Sequence, residues 1–188
     1  MKHIEAYWTA IGTTGLEHLI LSETQEGIRA DGLVLRYHNG QGLRIGYQIL
    51  CDPAWRTREA TVKLTGKEAI ELRFTVDGSG KWWGANGEPL EELEGCLDVD
   101  VMATPFTNTL PIRRLGLAVS ESAEIEAAYV RIPDLQLSRA RQRYTCLEQG
   151  SGRWRYLYES LDGDFKAELV VDGSGLVLDY QGIWERAL

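Results

Sequence analysis

Apolar and polar positions alternate with a period of two along much of this chain. Between Glu68 and Asp77, Ile70, Leu72, Phe74 and Val76 fall on one side while Glu71, Arg73 and Thr75 fall on the other. Successive side chains leave opposite faces of a pleated strand, so this is the pattern of a half-buried β-strand. The same rhythm marks Leu43/Ile45/Tyr47/Ile49, Ala60/Val62/Leu64, Trp154/Tyr156/Tyr158 and Phe165/Ala167/Leu169/Val171. Further strands are expected over Leu33–Tyr37, Leu97–Val101, Ile125–Ile132 and Gln142–Leu147. Turn signals separate the runs at His38-Asn39-Gly40, Asp77-Gly78, Asn86-Gly87, Asp162-Gly163 and Asp172-Gly173. Asn-Gly and Asp-Gly supply the positive φ angles that tight hairpins demand. Roughly ten or more short strands with few helices predict a mainly β (α+β) domain.

Two short helical segments are expected. Thr104-Pro105-Phe106-Thr107-Asn108 offers a capping residue followed by proline at the first helical position. Pro111 should stop that helix within two turns, because the residue before a proline resists helical geometry. Glu88–Leu93 offers another turn. An internal echo links Phe74–Gly80 to Leu169–Gly175, each an alternating strand running into Asp-Gly-Ser-Gly and then an apolar strand. It has two explanations: a favourable hairpin used twice, or two similar halves of a rolled sheet.

The length of 188 residues points to one domain, 1–188, with 44% hydrophobic and 26% charged residues. Twenty Lys+Arg against 28 Asp+Glu leave a net charge of −8, a field that repels phosphate backbones and anionic membrane surfaces. Nucleic-acid partners are therefore not expected, and with no stretch approaching 18 apolar residues neither is stable membrane insertion. Cys51, Cys96 and Cys146 are odd in number and lack a C-x-x-C pair, which speaks against a disulfide scaffold and a structural zinc site. With no export signal at the start, the expected location is cytoplasmic.

Candidate chemistry gathers around one segment. Asp98 and Asp100, two apart on an expected strand, would place both carboxylates on one face with stems about 7 Å apart. Such a pair could do acid–base work or hold a divalent cation; equally, it could protect a sheet edge or pair with Arg113 or Arg114. Thr104, Thr107, Asn108, Arg113 and Arg114 follow directly. Their hydroxyls, amide and guanidinium forks suit a sugar or phosphate head group; they would serve as well for helix caps and a structural ion-pair network. The adjacent Trp82 and Trp83 must point to opposite faces of a strand, which leaves one indole for a second layer or a binding surface. His3, His18 and His38 show no ligand spacing, and Cys96 has no neighbour that would activate it. No metal or cofactor is expected, and no enzyme class declares itself.

The run Gly95-Cys96-Leu97-Asp98-Val99-Asp100, followed by Thr104-Pro105-Phe106-Thr107-Asn108-Thr109-Leu110-Pro111-Ile112-Arg113-Arg114-Leu115, resembles the signature of the family called "Putative glycolipid-binding". Further pieces fit in order: Tyr47, Asp52 and Trp55-Arg56; Asp77–Gly80 and Trp82; Pro133; Gln142 and Tyr144-Thr145. The closing stretch from Val171 through Leu178-Asp179-Tyr180 to Trp184-Glu185-Arg186 also fits. The resemblance implies a spiral β-roll, a strongly curled antiparallel sheet with one or two short helices, similar in outline to folds that carry lipids across bacterial envelopes. It implies an apolar interior lined by Ile70, Leu72, Phe74, Val76, Leu169 and Val171, where an alkyl chain would gain roughly 0.8 kcal/mol per buried methylene. Trp82, Asp98, Asp100, Thr104, Thr107, Asn108, Arg113, Arg114 and Tyr180 would then form the ligand-binding set at a polar rim. Two other functions compete with a lipid or glycolipid binder. One is a hydrolase-like enzyme of glycolipid metabolism using Asp98 and Asp100. The other is an interaction module, including a homodimer, built on the outward tryptophan and the acidic surface.

Overall fold

The computed structural model describes residues 2–38, 40–66 and 69–187, apart from the side chain of His38. Asn39 of the first turn signal and Glu68 at the head of one expected strand lie outside the described residues. Seven strands open the chain as an antiparallel meander: β1 (Lys2–Ala10), β2 (Gly15–Glu23), β3 (Ile28–His38), β4 (Gln41–Cys51), β5 (Thr57–Thr65), β6 (Ile70–Val76) and β7 (Trp82–Gly84). A second run follows: β8 (Asp98–Val101), β9 (Ser122–Val130), β10 (Leu137–Gly150), β11 (Arg153–Ser160), β12 (Lys166–Asp172), β13 (Val177–Tyr180) and β14 (Trp184–Arg186). All fourteen belong to one sheet, in which β1 pairs with β14 at the seam between the runs, with β7 and β8 at its two ends. The sheet is long, curled and not closed. One α-helix, α1 (Thr109–Leu115), and two 3₁₀ turns, Glu91–Leu93 and Phe106–Asn108, complete it. Among the described residues no helix is long and apolar enough to cross a membrane.

Alternation sets the two faces as expected. Leu43, Ile45, Tyr47 and Ile49 of β4 and Ala60, Val62 and Leu64 of β5 are buried, while their polar neighbours face outward or sit at intermediate depth. The curl brings the start of β5 against β8, where the Thr57 N–H donates to the Leu97 carbonyl at 2.9 Å and Thr57 Oγ1 accepts from the Val99 N–H at 3.1 Å. At the seam, Trp8 donates its indole N–H to the Val177 carbonyl at 2.8 Å, with the Arg186 guanidinium 4.8 Å from the ring centroid.

Four expectations are corrected. The sheet is not wholly antiparallel, because β8 runs parallel to β9. The two are joined by a crossover that carries α1, the kind of long connection a parallel pair requires. Pro111 does not stop the helix but sits in the first turn of α1, where a missing N–H leaves no hydrogen bond unmade. In both Asp-Gly-Ser-Gly turns the positive φ falls on the second glycine, Gly80 (+83°) and Gly175 (+79°). Asp77 and Asp172 make these turns by accepting backbone N–H groups at the second and fourth residues beyond. Finally, among the described residues, those expected to wall an apolar hollow do not line one. Phe74, Val76, Leu169 and Val171 are packed into two hydrophobic clusters, Leu72 packs against one of them, and Ile70 is 44% exposed.

The turn geometry makes a checkable contrast. A Cβ on Gly80 would meet the backbone of Gly95 and Cys96 at 3.2–3.3 Å in a left-handed conformation, whereas one on Gly78 would meet only the end of the Arg58 side chain at 3.4 Å. Gly80→Ala is expected to destabilise the fold by about 1–2 kcal/mol. Gly78→Ala should stay within about 0.5 kcal/mol of wild type, both measured by urea denaturation; equal effects would contradict this assignment.

Candidate functional site

The segment following β8 carries most of the polar candidates, and hydrogen bonds tie it to both runs of the sheet. Asp98 and Asp100 share one face of β8, as a D-x-D strand requires. Asp98 is buried, and both its oxygens take donors from Arg114, Nε at 3.1 Å and Nη2 at 2.5 Å. Burial raises its pKa, and the guanidinium opposes that rise. Asp100 accepts from the Thr107 hydroxyl at 3.0 Å through Oδ1 and from Gln142 Nε2 of β10 at 2.6 Å through Oδ2. Its pKa is raised chiefly by burial, with a further push from Asp98, while the two donors pull it down. Asn108 Oδ1 accepts from the Tyr144 hydroxyl of β10 at 2.9 Å.

A second network reaches the first run of strands. Glu17 of β2 is fully buried, and its Oε1 accepts from the Tyr47 hydroxyl of β4 at 2.5 Å and from the Thr104 hydroxyl at 2.6 Å. Thr104 Oγ1 in turn accepts the Phe106 N–H at 2.9 Å, at the entry to the 3₁₀ turn that leads into α1. The Tyr47 ring reaches Glu17 by lying across Gly32 of β3, where any Cβ would overlap it. Burial pushes the Glu17 carboxyl up to about 8, against the pull of its two donors. Glu17 Oε2 has no hydrogen-bond partner among the described residues. Sequence reasoning missed this residue, because it occupies an inward strand position where an apolar side chain is the rule.

In front of these networks lies a cleft of about 240 Å³. Its polar wall is formed by Asp100, Thr104 and Asn108, with Arg36 of β3 also lining it. Aromatic rings form the rest: Tyr129 of β9, Tyr158 of β11, Phe165, Tyr180 of β13 and Trp184 of β14. Tyr158, Phe165 and Tyr180 pack on one another with ring centroids 5.9–6.4 Å apart. Burial raises the hydroxyl of Tyr129 to about 12 and that of Tyr180 higher still, and the Asp100 charge adds to both. These phenols are therefore neutral donors at neutral pH. Met102, 41% exposed, and Ile183 stand at the apolar side, and a small dimple of Leu43, Met102, Ala103 and Ile132, with Arg36 at its border, adjoins.

The cleft thus gathers four of the nine residues expected to bind a ligand: Asp100, Thr104, Asn108 and Tyr180. Asp98, Thr107 and Arg114 stand behind them as partners within the polar network. Arg113 turns elsewhere, 4.9 Å from the Trp55 ring centroid and 3.9 Å from Glu23. Trp82 is buried on Phe74, donates to the Cys96 carbonyl at 3.0 Å, and borders a different cleft of about 300 Å³ shared with the half-buried Trp83, Pro89 and Leu90. That cleft has a poorer chemistry, since its charged residues, Lys81, Glu91 and Glu94, lie at the surface. The three cysteines are free and buried, and burial lifts the Cys96 thiol to about 11. Among the described residues, no group of three or more His, Cys, Asp or Glu is arranged to hold a metal ion.

Glu17 gives the fold a pH dependence. Its folded pKa of about 8 exceeds the ordinary carboxyl value of 4.5, so the folded state holds a proton that the unfolded chain releases. The associated stability is present in full below pH 4.5 and is lost as pH rises to about 8, with a slope approaching 1.4 kcal/mol per pH unit. Urea denaturation between these limits should show wild type losing stability with rising pH and Glu17→Gln losing markedly less; parallel profiles would contradict the neutral buried carboxyl.

The site's geometry can be set beside known proteins. The family described as Putative glycolipid-binding matches residues 5–186. A crystal structure of a DUF1089 family protein from Pseudomonas aeruginosa is similar over 92% of this chain and 91% of that one, at 39% identity and a TM-score of 0.81. No curated protein matches the chain. With nearly its full length matched, and with the β8–α1 segment inside that match, the chain belongs to the Putative glycolipid-binding family.

Proposed function

We propose that this protein is a non-catalytic binder of a glycolipid-like amphiphile, with the sugar head group in the Asp100 cleft and the alkyl tail leaving over Met102 and Phe165. The observation that carries this reading is the make-up of the cleft, where aromatic rings face a hydrogen-bonded carboxylate. Rings with polar edges suit the apolar faces of a sugar, and carboxylate oxygens keep lone pairs beyond those used by Thr107 and Gln142 for sugar hydroxyls. A volume of about 240 Å³ lies below the roughly 300–1,000 Å³ of sites that enclose a drug-sized ligand. It therefore suits one part of an amphiphile, with the remainder outside. The family's description supports the lipid half of the reading, as do the exposed Met102 and Phe165 and the apolar residues of the neighbouring dimple.

In this reading the polarity of the site is the reverse of a greasy interior with a polar rim: the polar groups form the floor and the apolar groups form the edge. The whole chain, 1–188, acts as one binding domain whose curled sheet serves as a spiral β-roll. It handles its ligand in the cytoplasm without a cofactor, a nucleic acid or insertion into a bilayer.

Titration with n-octyl β-D-glucoside, followed by calorimetry below its micelle-forming concentration, tests this directly. Wild type is expected to bind. Tyr180→Ala should weaken binding about tenfold or more, as expected for an aromatic anchor, while Trp83→Ala in the other cleft should bind like wild type. Failure of wild type to bind either the glucoside or n-octyl β-D-glucuronide, or a loss confined to Trp83→Ala, would overturn the proposal.

A further inference from the structure

Arg36 is the one half-buried arginine among the described residues that meets no carboxylate within 4.0 Å. The others without such a partner, Arg44, Arg56 and Arg153, are exposed, where water solvates the charge. Arg36 projects inward from β3 into the cleft wall, with its guanidinium 5.7 Å from the Trp184 ring centroid. Its Nε is buried and has no hydrogen-bond partner among the described residues. Taking a cation out of water without a counter-charge is unfavourable, and burial lowers its pKa accordingly. Asp100 lines the same cleft but is engaged by Thr107 and Gln142, and the two charges do not form an ion pair.

A guanidinium held open at the wall of a binding cleft is a fork of donors matched to the two oxygens of an oxyanion. We infer that Arg36 receives a carboxylate or phosphate oxyanion on the ligand's head group, so that the cleft selects acidic sugars over neutral ones. This rests on the reading of the cleft as a head-group site and adds to it the charge of the ligand. The two ends of the cleft then divide the work: Asp100 accepts hydroxyl donors and Arg36 donates to the anion.

The test compares n-octyl β-D-glucoside with n-octyl β-D-glucuronide, which shares its ring and tail and differs by one carboxylate, together with free D-glucuronate. Wild type should bind the glucuronide about tenfold or more tightly than the glucoside, the usual gain from a charge-assisted hydrogen bond. In Arg36→Met the ratio between the two ligands should fall to near one; Arg36→Lys, which keeps the charge but loses the fork, should retain part of it. Each variant is read as a ratio between two ligands, so a general loss of affinity does not mimic the effect. Binding of free glucuronate as tight as that of the glucuronide would show a free sugar acid to be the ligand, leaving Arg36's role intact and removing the tail. Equal binding of glucoside and glucuronide by wild type overturns the inference while sparing the head-group site. Binding of none of the three overturns both.

Discussion

The structure depends on satisfying polar groups that the sheet's curl has buried. The segment from Asp98 to Leu115 lies across the inside of that curl, and its polar side chains, the Thr109 hydroxyl excepted, find partners there and so avoid a desolvation penalty of about 1–3 kcal/mol each. The partners come from both runs of strands. Thr104 meets Glu17 and Tyr47 on the first run, and Asp100 and Asn108 meet Gln142 and Tyr144 on the second. The Val99 N–H reaches Thr57 on β5. The segment is therefore a polar cross-brace, and the β1–β14 seam, with only three residue pairs, need not hold the two runs together alone.

The same brace positions the cleft. Its outward groups, Asp100, Thr104 and Asn108, become the polar wall because their other hydrogen bonds point back into the protein and fix their orientation. Asp98 and Arg114, paired behind that wall, are part of the scaffold that holds β8 against α1. β9, β11, β13 and β14 each contribute an aromatic ring from the same half of the sheet, with Tyr129 paired beside Asp100 across β8 and β9. A site assembled from seven or so separate elements is fixed by tertiary packing and not by any one loop.

Much of the fold was legible in the sequence because β4, β5 and β6 obey strict alternation, and their apolar faces are the ones buried or turned toward the core. β2 and β3 do not obey it. On these strands Leu16, Ile20, Leu33, Leu35 and Tyr37 face outward and are exposed, while Glu17 and Arg36 turn inward. Pattern reading assigns such charges to the solvent face, so it marks neither β2 as a strand nor these two residues as site candidates; β1 and β14, the strands of the seam, also lie outside the expected set. The expected cluster of Asp100, Thr104 and Asn108 was visible because it is contiguous in sequence. The aromatic wall was mostly invisible because its rings, far apart in sequence, meet only in the folded, curled sheet. Positions that break the apolar-in rule are where function is expected to override local consistency. Here two such positions, on strands whose other inward residues include Leu19, Leu21, Ala30 and Val34, supply a buried acid and a cation with no carboxylate partner among the described residues.

The direct measurement of the central claim is a crystal structure of the protein grown with n-octyl β-D-glucoside. The account predicts a sugar ring between Tyr180 and Trp184 with a hydroxyl within hydrogen-bonding distance of Asp100, and the alkyl chain passing Met102. Sugar density confined to the Trp83–Pro89 cleft would contradict it.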